Sequence, residues 1–123
     1  MQFKENKAIY LQISDMVCDD ILSGKLSDND KIASVRDLAA LVEVNANTCA
    51  RAYEWLQNQG IIFTKRGLGY FVNEGARQTI INMKREEFIE ETIPEVARQM
   101  LNLGISIDCL KSEIEKRLEN ARS

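Results

Sequence analysis

The stretch from 34 to 60 limits the fold most, because two short helical patterns meet there with only three residues, "VEV", between them. Ser34 is a good N-cap for the first pattern, and Asp37 lies where an acidic residue favours the positive end of a helix. Asn45 is a second good N-cap, and Gly60 supplies a left-handed stop for the second helix. Two short helices with so tight a connection predict a helix-turn-helix.

The segments on either side extend this motif. Residues 8–22 place apolar side chains at helical spacing, and Gly24 is a natural end for that helix. After the motif, the β-rich runs "IIFTK" and "GYFVN" are separated by three residues that include Gly67, which predicts a hairpin. A helix-turn-helix followed at once by a two-stranded hairpin is a winged helix.

From 77 onward the sequence predicts a helical tail. Pro94 should kink or split its first helix, Gly104 should end it, and Ser106 should cap a second helix. The two apolar stripes contain Ile81, Phe88, Ile89, Ile93, Val96, Met100 and Leu103, then Ile107, Leu110, Ile114 and Leu118. The predicted fold is mainly α with a small β-hairpin: a winged helix-turn-helix in residues 1–76, followed by a two-helix C-terminal dimerisation tail in residues 77–123.

The composition excludes several classes of protein. The chain has no histidine, which excludes most zinc sites and every histidine-dependent catalytic arrangement. No catalytic dyad or phosphate loop is visible, so we expect neither an enzyme nor a cofactor. Cys18, Cys49 and Cys109 are widely spaced, as is typical of reduced cysteines. The first ten residues lack an apolar signal core and no apolar run is long enough to span a membrane, so we expect a cytoplasmic protein.

The second helix of the motif has an unusual outward face. Its inward positions fall at helical spacing: Cys49, Ala52, Tyr53 and Leu56. The outward face then begins with small and polar residues: Ala46, Asn47, Ala50 and Arg51. Small residues let a helix enter a DNA major groove, where Asn can pair with adenine and Arg with guanine or phosphate. Thr48, at the helix N-terminus, suits a phosphate. On this stretch alone, a solvated face of small residues is an equally good interpretation.

Residues 8 to 72 resemble the DNA-binding domain of the GntR family of bacterial transcription regulators. The motifs recur in order: "IYLQI" in the opening helix, "GKL" before the turn, "SVRDLA" for the family's "PSxRxLA", "VNANT" and "ARAY" in the recognition helix, and "RGLGYFV" in the wing. The short tail and the "NxNTxARAY" pattern look most like the YtrA-like branch. The resemblance implies a dimeric, sequence-specific regulator of the repressor type, often encoded beside membrane transporter genes.

Five positions depart from the family pattern. Asp28 and Asn29 replace the usual Pro-Gly of the turn, and Ala33 replaces the usual Pro before "SxR". Ala46 stands where Arg or Pro often begins the recognition helix, and Cys49 stands where Val is usual. Since Ala46 removes one possible DNA contact, the target sequence of other members cannot be carried over to this chain.

The resemblance and the outward face together give ten candidate DNA-binding residues: Arg36, Asn45, Ala46, Asn47, Thr48, Ala50, Arg51, Lys65, Arg66 and Gly67. For Arg36, pairing with Asp37 or Glu43 is the alternative, and Arg51 could pair with Glu43 or Glu54. A basic residue beside glycine at the wing tip can enter a minor groove, although a bland turn would also use glycine.

The tail stripes predict a homodimer interface through Phe88, Val96, Met100, Leu110 and Ile114. Two helices of this length can hardly enclose a ligand pocket within one chain, so a small-molecule effector stays unknown. The expected partners are therefore a double-stranded DNA operator and a second copy of the chain, with no membrane. The net charge of −3 favours the alternative, a winged-helix adaptor that binds proteins and not DNA.

Overall fold

The computed structural model describes residues 6–122. The chain divides into two compact units, Met1–Met83 and Lys84–Ser123. We call them the N-terminal and C-terminal units. The helices are α1 (Ile9–Leu22), α2 (Val35–Val42), α3 (Ala46–Asn58), α4 (Ala76–Glu87), α5 (Ile93–Leu103) and α6 (Ile107–Arg122), with a π-helical segment at Phe88–Thr92. The strands are β1 (Ile62–Lys65) and β2 (Gly69–Val72). The first ten residues, on which we base the expectation of no signal core, lie half outside this described part.

The core of the N-terminal unit lies where α1 and α2 pack against α3. α1 and α3 approach closely at Ser14 and Ala52, both fully buried. The Ser14 hydroxyl donates to the Tyr10 carbonyl at 2.8 Å and contacts the Ala52 carbonyl oxygen at 3.3 Å. A buried hydroxyl that finds acceptors on both helices adds no desolvation penalty to this contact. The small residues at this contact therefore fix how α3 is rotated about its own axis relative to α1.

The connection between α2 and α3 confirms the predicted helix-turn-helix. The Ser34 hydroxyl accepts a hydrogen bond from the Asp37 N–H at 3.0 Å and so caps α2. α2 continues through Val42, so the break consists of residues 43–45, with Glu43 left-handed at φ 57°. The Asn45 side chain then accepts from the Asn47 N–H at 2.7 Å and begins α3.

The hairpin pairs β1 with β2 in antiparallel register, with Ile62 opposite Val72 and Lys65 opposite Gly69. Residues 29–32 extend this sheet along β2: the Val72 N–H donates to the Asp30 carbonyl at 2.9 Å, and an isolated bridge joins Lys31 to Phe71. Asn29 has φ 67°, a left-handed conformation that asparagine tolerates better than most residues. Asn29 therefore replaces the glycine that the family usually has in this turn.

α4 begins at Ala76 and is anchored in the N-terminal unit, where Ala76 and Ile80 are fully buried. Beyond it, helical hydrogen bonding continues past Pro94, but in a changed form. The Ile93 N–H donates to the Phe88 carbonyl, five residues back, and Pro94 enters the first turn of α5. Proline lacks the N–H of a regular α-helix and its ring clashes with the preceding turn, so the π segment takes the place of an outright break.

The C-terminal unit consists of helices that bury nothing by themselves. Gly104 ends α5 at φ 65°, and the Ser106 hydroxyl accepts from the Cys109 N–H at 3.1 Å at the start of α6, as expected. Across 84–122, no residue falls in the buried class. The predicted fold class, mainly α with a small β-hairpin, is confirmed. Among the described residues, no helix combines the length and the apolar character needed to cross a membrane.

Candidate nucleic-acid interface

α3 presents the predicted face to the outside. All four predicted inward residues are buried: Cys49, Ala52, Tyr53 and Leu56. Tyr53 fixes the orientation, because its hydroxyl donates to the Ala33 carbonyl at 2.7 Å and its ring meets Tyr70 edge-on at 4.8 Å between centroids. Burial raises the pKa of the Tyr53 hydroxyl, which therefore stays protonated and keeps donating. The inward side of α3 therefore packs into the core of the N-terminal unit.

The opposite face carries the predicted groove residues. Asn45, Ala46, Asn47 and Ala50 are exposed, and Thr48 is half-buried. Asn45 uses its side-chain oxygen to cap α3. With only methyl groups at Ala46 and Ala50, the first two turns leave the helix backbone accessible to a large ligand. The face thus carries small and hydrogen-bonding side chains, as suits a helix that enters a DNA groove.

Arg51 lies at the edge of this face and is stacked on α1. Its guanidinium carbon lies 4.2 Å from the centroid of the Tyr10 ring. Neither Glu43 nor Glu54 pairs with it: within residues 6–122, none of the ion pairs includes Arg51. A shallow groove of about 400 Å3 opens beside the stack and is lined by Ala8, Ile9, Tyr10, Asn47, Thr48 and Arg51.

Arg36 is exposed in the first turn of α2. A cation there lies at the positive end of the helix, which is the unfavourable end for it. The expected alternative partners do not compensate it, since in the described part of the chain no ion pair joins Arg36 to Asp37 or Glu43. An uncompensated cation at this position is available to an anion from outside.

The wing holds its two predicted cations differently. The Lys65 ammonium lies over the Phe71 ring at 4.9 Å and is 5.9 Å from the centroid of Phe63. These two rings stack on one another at 5.7 Å. Arg66 is exposed in the turn that follows. Gly67 takes φ 76°, a left-handed conformation that other residues rarely adopt.

Two residues near this surface were missed by the sequence reasoning. Tyr10 contacts Arg51 through its ring. The only sequence signal for Tyr10 was its place in the "IYLQI" motif. Lys31 runs beside the wing: its Cε lies 3.3 Å from where a Cβ on Gly69 would stand. Residues 25–31 look like a polar turn in the sequence, and nothing there signals that Lys31 pairs with β2. The structure thus adds a third cation to the wing.

The five predicted interface residues lie in the C-terminal unit. Phe88 and Ile114 are 51% and 47% exposed, and Val96, Met100 and Leu110 are half-buried. Of the cysteines, Cys18 and Cys49 are buried and Cys109 is exposed, and none of the three forms a disulfide. Burial raises the pKa of the Cys49 thiol. Over residues 6–122, no cluster of acidic, cysteine or histidine side chains could hold a metal ion.

Comparisons with known proteins agree with this geometry. Residues 9–72 match the model of the bacterial regulatory proteins of the gntR family. The chain is 35% identical over 105 residues to the HTH-type transcriptional regulator YhcF of Bacillus subtilis, with 85% of each chain covered. It is 31% identical over 113 residues to the HTH-type transcriptional repressor YtrA of Bacillus subtilis, covering 92% of this chain and 86% of YtrA.

A solved structure shows the same likeness in three dimensions. The crystal structure of a GntR-family transcriptional regulator from Bacteroides thetaiotaomicron superposes with a TM-score of 0.79 at 42% identity. The match covers 93% of this chain and 99% of that one. The similarity to YtrA along almost the whole chain also confirms the resemblance to the YtrA-like branch. The chain therefore belongs to the GntR family of helix-turn-helix transcriptional regulators.

Proposed function

We propose that this regulator is a homodimeric repressor that binds an inverted-repeat DNA operator through α3 and the wing. The observation that carries the proposal is the outward face of α3, where small residues alternate with hydrogen-bonding ones while the large side chains point inward. Such a face can reach base edges without long side chains holding the backbone away. We expect it to act in the cytoplasm, where bacterial DNA lies.

Base recognition rests mainly on two residues of α3. The Asn47 amide is exposed and can donate and accept together, which is the pattern that adenine presents in the major groove. Arg51 can donate to guanine or to a phosphate. Ala46 and Ala50 offer only methyl groups, which suit contact with the methyl group of thymine. The operator preference of this chain should therefore depend on how closely α3 fits against the base edges in the groove.

Contacts with phosphate should position the protein without reading sequence. Thr48 and the capping Asn45 lie at the N-terminal end of α3, where hydroxyl and backbone N–H groups suit an anion. Arg36 adds an uncompensated charge from α2. These local groups supply the positive surface that the net charge of −3 does not.

The wing supplies a second point of contact in the adjacent minor groove. Arg66 and Gly67 form its tip, and Lys65 is held along its side by the phenylalanine pair. A narrow minor groove concentrates negative potential and attracts an inserted arginine. We infer that Arg66 takes this place, while Lys65 and Gly67 set the shape of the tip.

A second copy of the chain completes the C-terminal unit. No residue from 84 to 122 is buried, although apolar stripes run along both α5 and α6. Soluble monomers rarely expose such contiguous apolar surface. A two-fold dimer through Phe88, Val96, Met100, Leu110 and Ile114 would cover it, and would set the two recognition helices about 34 Å apart, one turn of DNA.

The domain division follows from the same reasoning. We propose a DNA-binding domain in residues 1–76 and a dimerisation tail in 77–123, with the first turns of α4 serving both. Ala76 and Ile80 are buried in the N-terminal unit, so this helix is anchored in the DNA-binding part before it reaches the dimer stripe.

The experiment is a selection of DNA by the full-length chain. Duplexes with a randomised stretch of about three helical turns are bound, amplified and sequenced over several rounds. An inverted repeat with half-sites one turn apart is expected, with binding that falls steeply as salt is added. A protein that enriches no sequence, and whose weak DNA binding ignores salt, would instead be the protein-binding adaptor.

A further inference from the structure

The contact between α1 and the recognition helix has a consequence for DNA binding. Tyr10 is half-buried and packs against the core of the N-terminal unit, whereas Arg51 is exposed. The ring is therefore the fixed partner and the guanidinium the movable one. We propose that Tyr10 is a positioning residue: its ring holds Arg51 in the groove between α1 and α3, ready to donate to DNA. This inference rests on the proposed function.

The chemistry of the stack favours this role over a purely structural one. A guanidinium has two flat faces, and its five N–H donors lie in its plane. The Arg51 guanidinium carbon lies over the Tyr10 ring at 4.2 Å from its centroid, a contact that uses the charge of the cation and needs no hydrogen-bond acceptor. A carboxylate partner would instead occupy the donors. Because none of the described acidic residues pairs with Arg51, its charge and its hydrogen bonds are both available.

The stack lies beside the proposed DNA surface. Asn47, Thr48 and Arg51 line the same groove as Ala8, Ile9 and Tyr10. Asn47 and Thr48 are the residues assigned to a base edge and a phosphate. An arginine that swings freely must lose its rotamer freedom on binding, whereas one held against a ring has already lost part of it. α1 would thus contribute to affinity without touching DNA.

A double-mutant cycle tests the coupling between Tyr10 and Arg51. The probe is the duplex that the wild-type chain selects, and affinity is measured by fluorescence anisotropy. Tyr10→Met removes the aromatic face but keeps an apolar side chain of similar length, and should weaken binding about fivefold for each half-site. Tyr10→Phe keeps the face and should restore wild-type affinity. In an Arg51→Gln background, Tyr10→Met should have no further effect.

The controls separate positioning from damage to the fold. Arg66 lies on the wing, so Tyr10→Met and Arg66→Ala should weaken binding independently. Should Tyr10→Met prove unstable by circular dichroism, Arg51→Lys gives a second measure. It keeps the charge but loses the flat stack, and should bind less tightly than wild type. Equal losses from Tyr10→Met in the wild-type and Arg51→Gln backgrounds, or wild-type affinity in Arg51→Lys, would overturn the proposal.

A measurement without DNA keeps this inference distinct from the proposed function. A proton above a ring face is shifted upfield, so the Arg51 side-chain N–H signals in the free protein should lie upfield and should move back in Tyr10→Met. If the wild-type chain selects no DNA while this shift is present, the stack exists and the proposed function has failed. If the chain selects DNA and the shift is absent, the positioning role alone is wrong.

Discussion

The N-terminal and C-terminal units are both built from amphipathic helices, yet only the first buries its apolar stripes. In the N-terminal unit, Ile13, Leu56 and Ile80 are fully buried. In the C-terminal unit, Leu103 of the α5 stripe is 69% exposed and no described residue is buried. The same sequence pattern thus predicts a buried face in both units without saying which molecule buries it. Stability of the first unit should be intrinsic, and that of the second should depend on a partner.

The largest expected difference concerns truncated leucines. Leu56→Ala removes a fully buried side chain from α3 and should lower the free energy of unfolding by about 3 kcal/mol. Leu101→Ala, its match in the C-terminal unit, should change it by less than about 0.5 kcal/mol. Urea denaturation followed by circular dichroism measures both. A large effect of Leu101→Ala would mean that this side chain is covered in the assembled protein.

A charge on the apolar stripe of α6 should separate the two copies. Ile114→Glu would place a carboxylate in the proposed interface, where desolvation opposes it, and should convert the dimer to monomers at micromolar concentration. Ser112→Glu, on the same helix but outside the stripe, should leave the dimer intact. Light scattering gives the mass. A monomeric wild-type chain, or a dimeric Ile114→Glu variant, would show that the stripe does not form the interface.

A truncated chain tests what the N-terminal unit does without the C-terminal unit. Cutting after Gly75 would remove the buried Ala76 and Ile80, so the better boundary is after Met83, where the units divide. The truncated chain should be folded and monomeric, and should bind the selected duplex more weakly because a second half-site no longer adds to the affinity. Dimerisation of this fragment would assign the interface to the N-terminal unit.

Removing single cations should affect DNA binding without affecting the fold. Arg36→Ala and Arg66→Ala change exposed residues and should each weaken operator binding. A lost phosphate contact should also lower the slope of affinity against salt by roughly one. Lys25→Ala, an exposed lysine outside the proposed surface, is the matched control. If both arginine variants bind like wild type, the assignment of these two residues is wrong.

The alkylation rates of Cys49 and Cys109 should differ, because one lies in each unit. Cys49 is buried and its thiol pKa is raised by that burial, so little thiolate is present at neutral pH and labelling requires opening of the unit. Cys109 is exposed and should react first. Mass spectrometry after timed alkylation gives both rates. Fast labelling of Cys49 would contradict the orientation of α3 and the set of groove residues derived from it.

The smallest expected effect is a pH response of the C-terminal unit. Hydrogen bonds from Arg98 and Gln99 lower the pKa of Glu95 from 4.5 to about 2. A depressed carboxyl pKa contributes stability above the unfolded value, which is lost as pH falls from about 4.5 towards 2. Because Glu95 is exposed to solvent, the contribution is slight. Glu95→Gln should remove that acid-dependent part of the helical signal and change little at neutral pH.

Local patterns in the sequence were enough to predict most of the N-terminal unit. Ser34, Asn45 and Gly60 mark helix ends through hydrogen bonds and dihedral angles that depend on a few neighbouring residues, and each lies where it was expected. The inward face of α3 followed from helical spacing alone. The pairing of residues 29–32 with β2 did not, because pairing between residues about forty positions apart leaves no periodic signal in so short a stretch.

The candidate site was predictable in its composition but only partly in its contacts. Helical spacing identified the face that carries Asn47 and Arg51. It suggested acidic partners for Arg51, since Glu43 and Glu54 are near in sequence, whereas Tyr10 on another helix holds it. The π segment before Pro94 likewise depends on how the chain satisfies its carbonyl groups, which residue identity does not determine. Contacts between separate elements depend on three-dimensional packing, which local sequence patterns do not specify.

The packing of Lys31 against Gly69 constrains these two positions unequally during evolution. Gly69 has φ 112°, and a Cβ there would stand 3.3 Å from the Lys31 Cε. A mutation of Gly69 to any larger residue would strain the backbone and displace the lysine in one step. Shortening residue 31 would remove the contact but not the backbone strain, so position 69 should stay glycine while position 31 can vary.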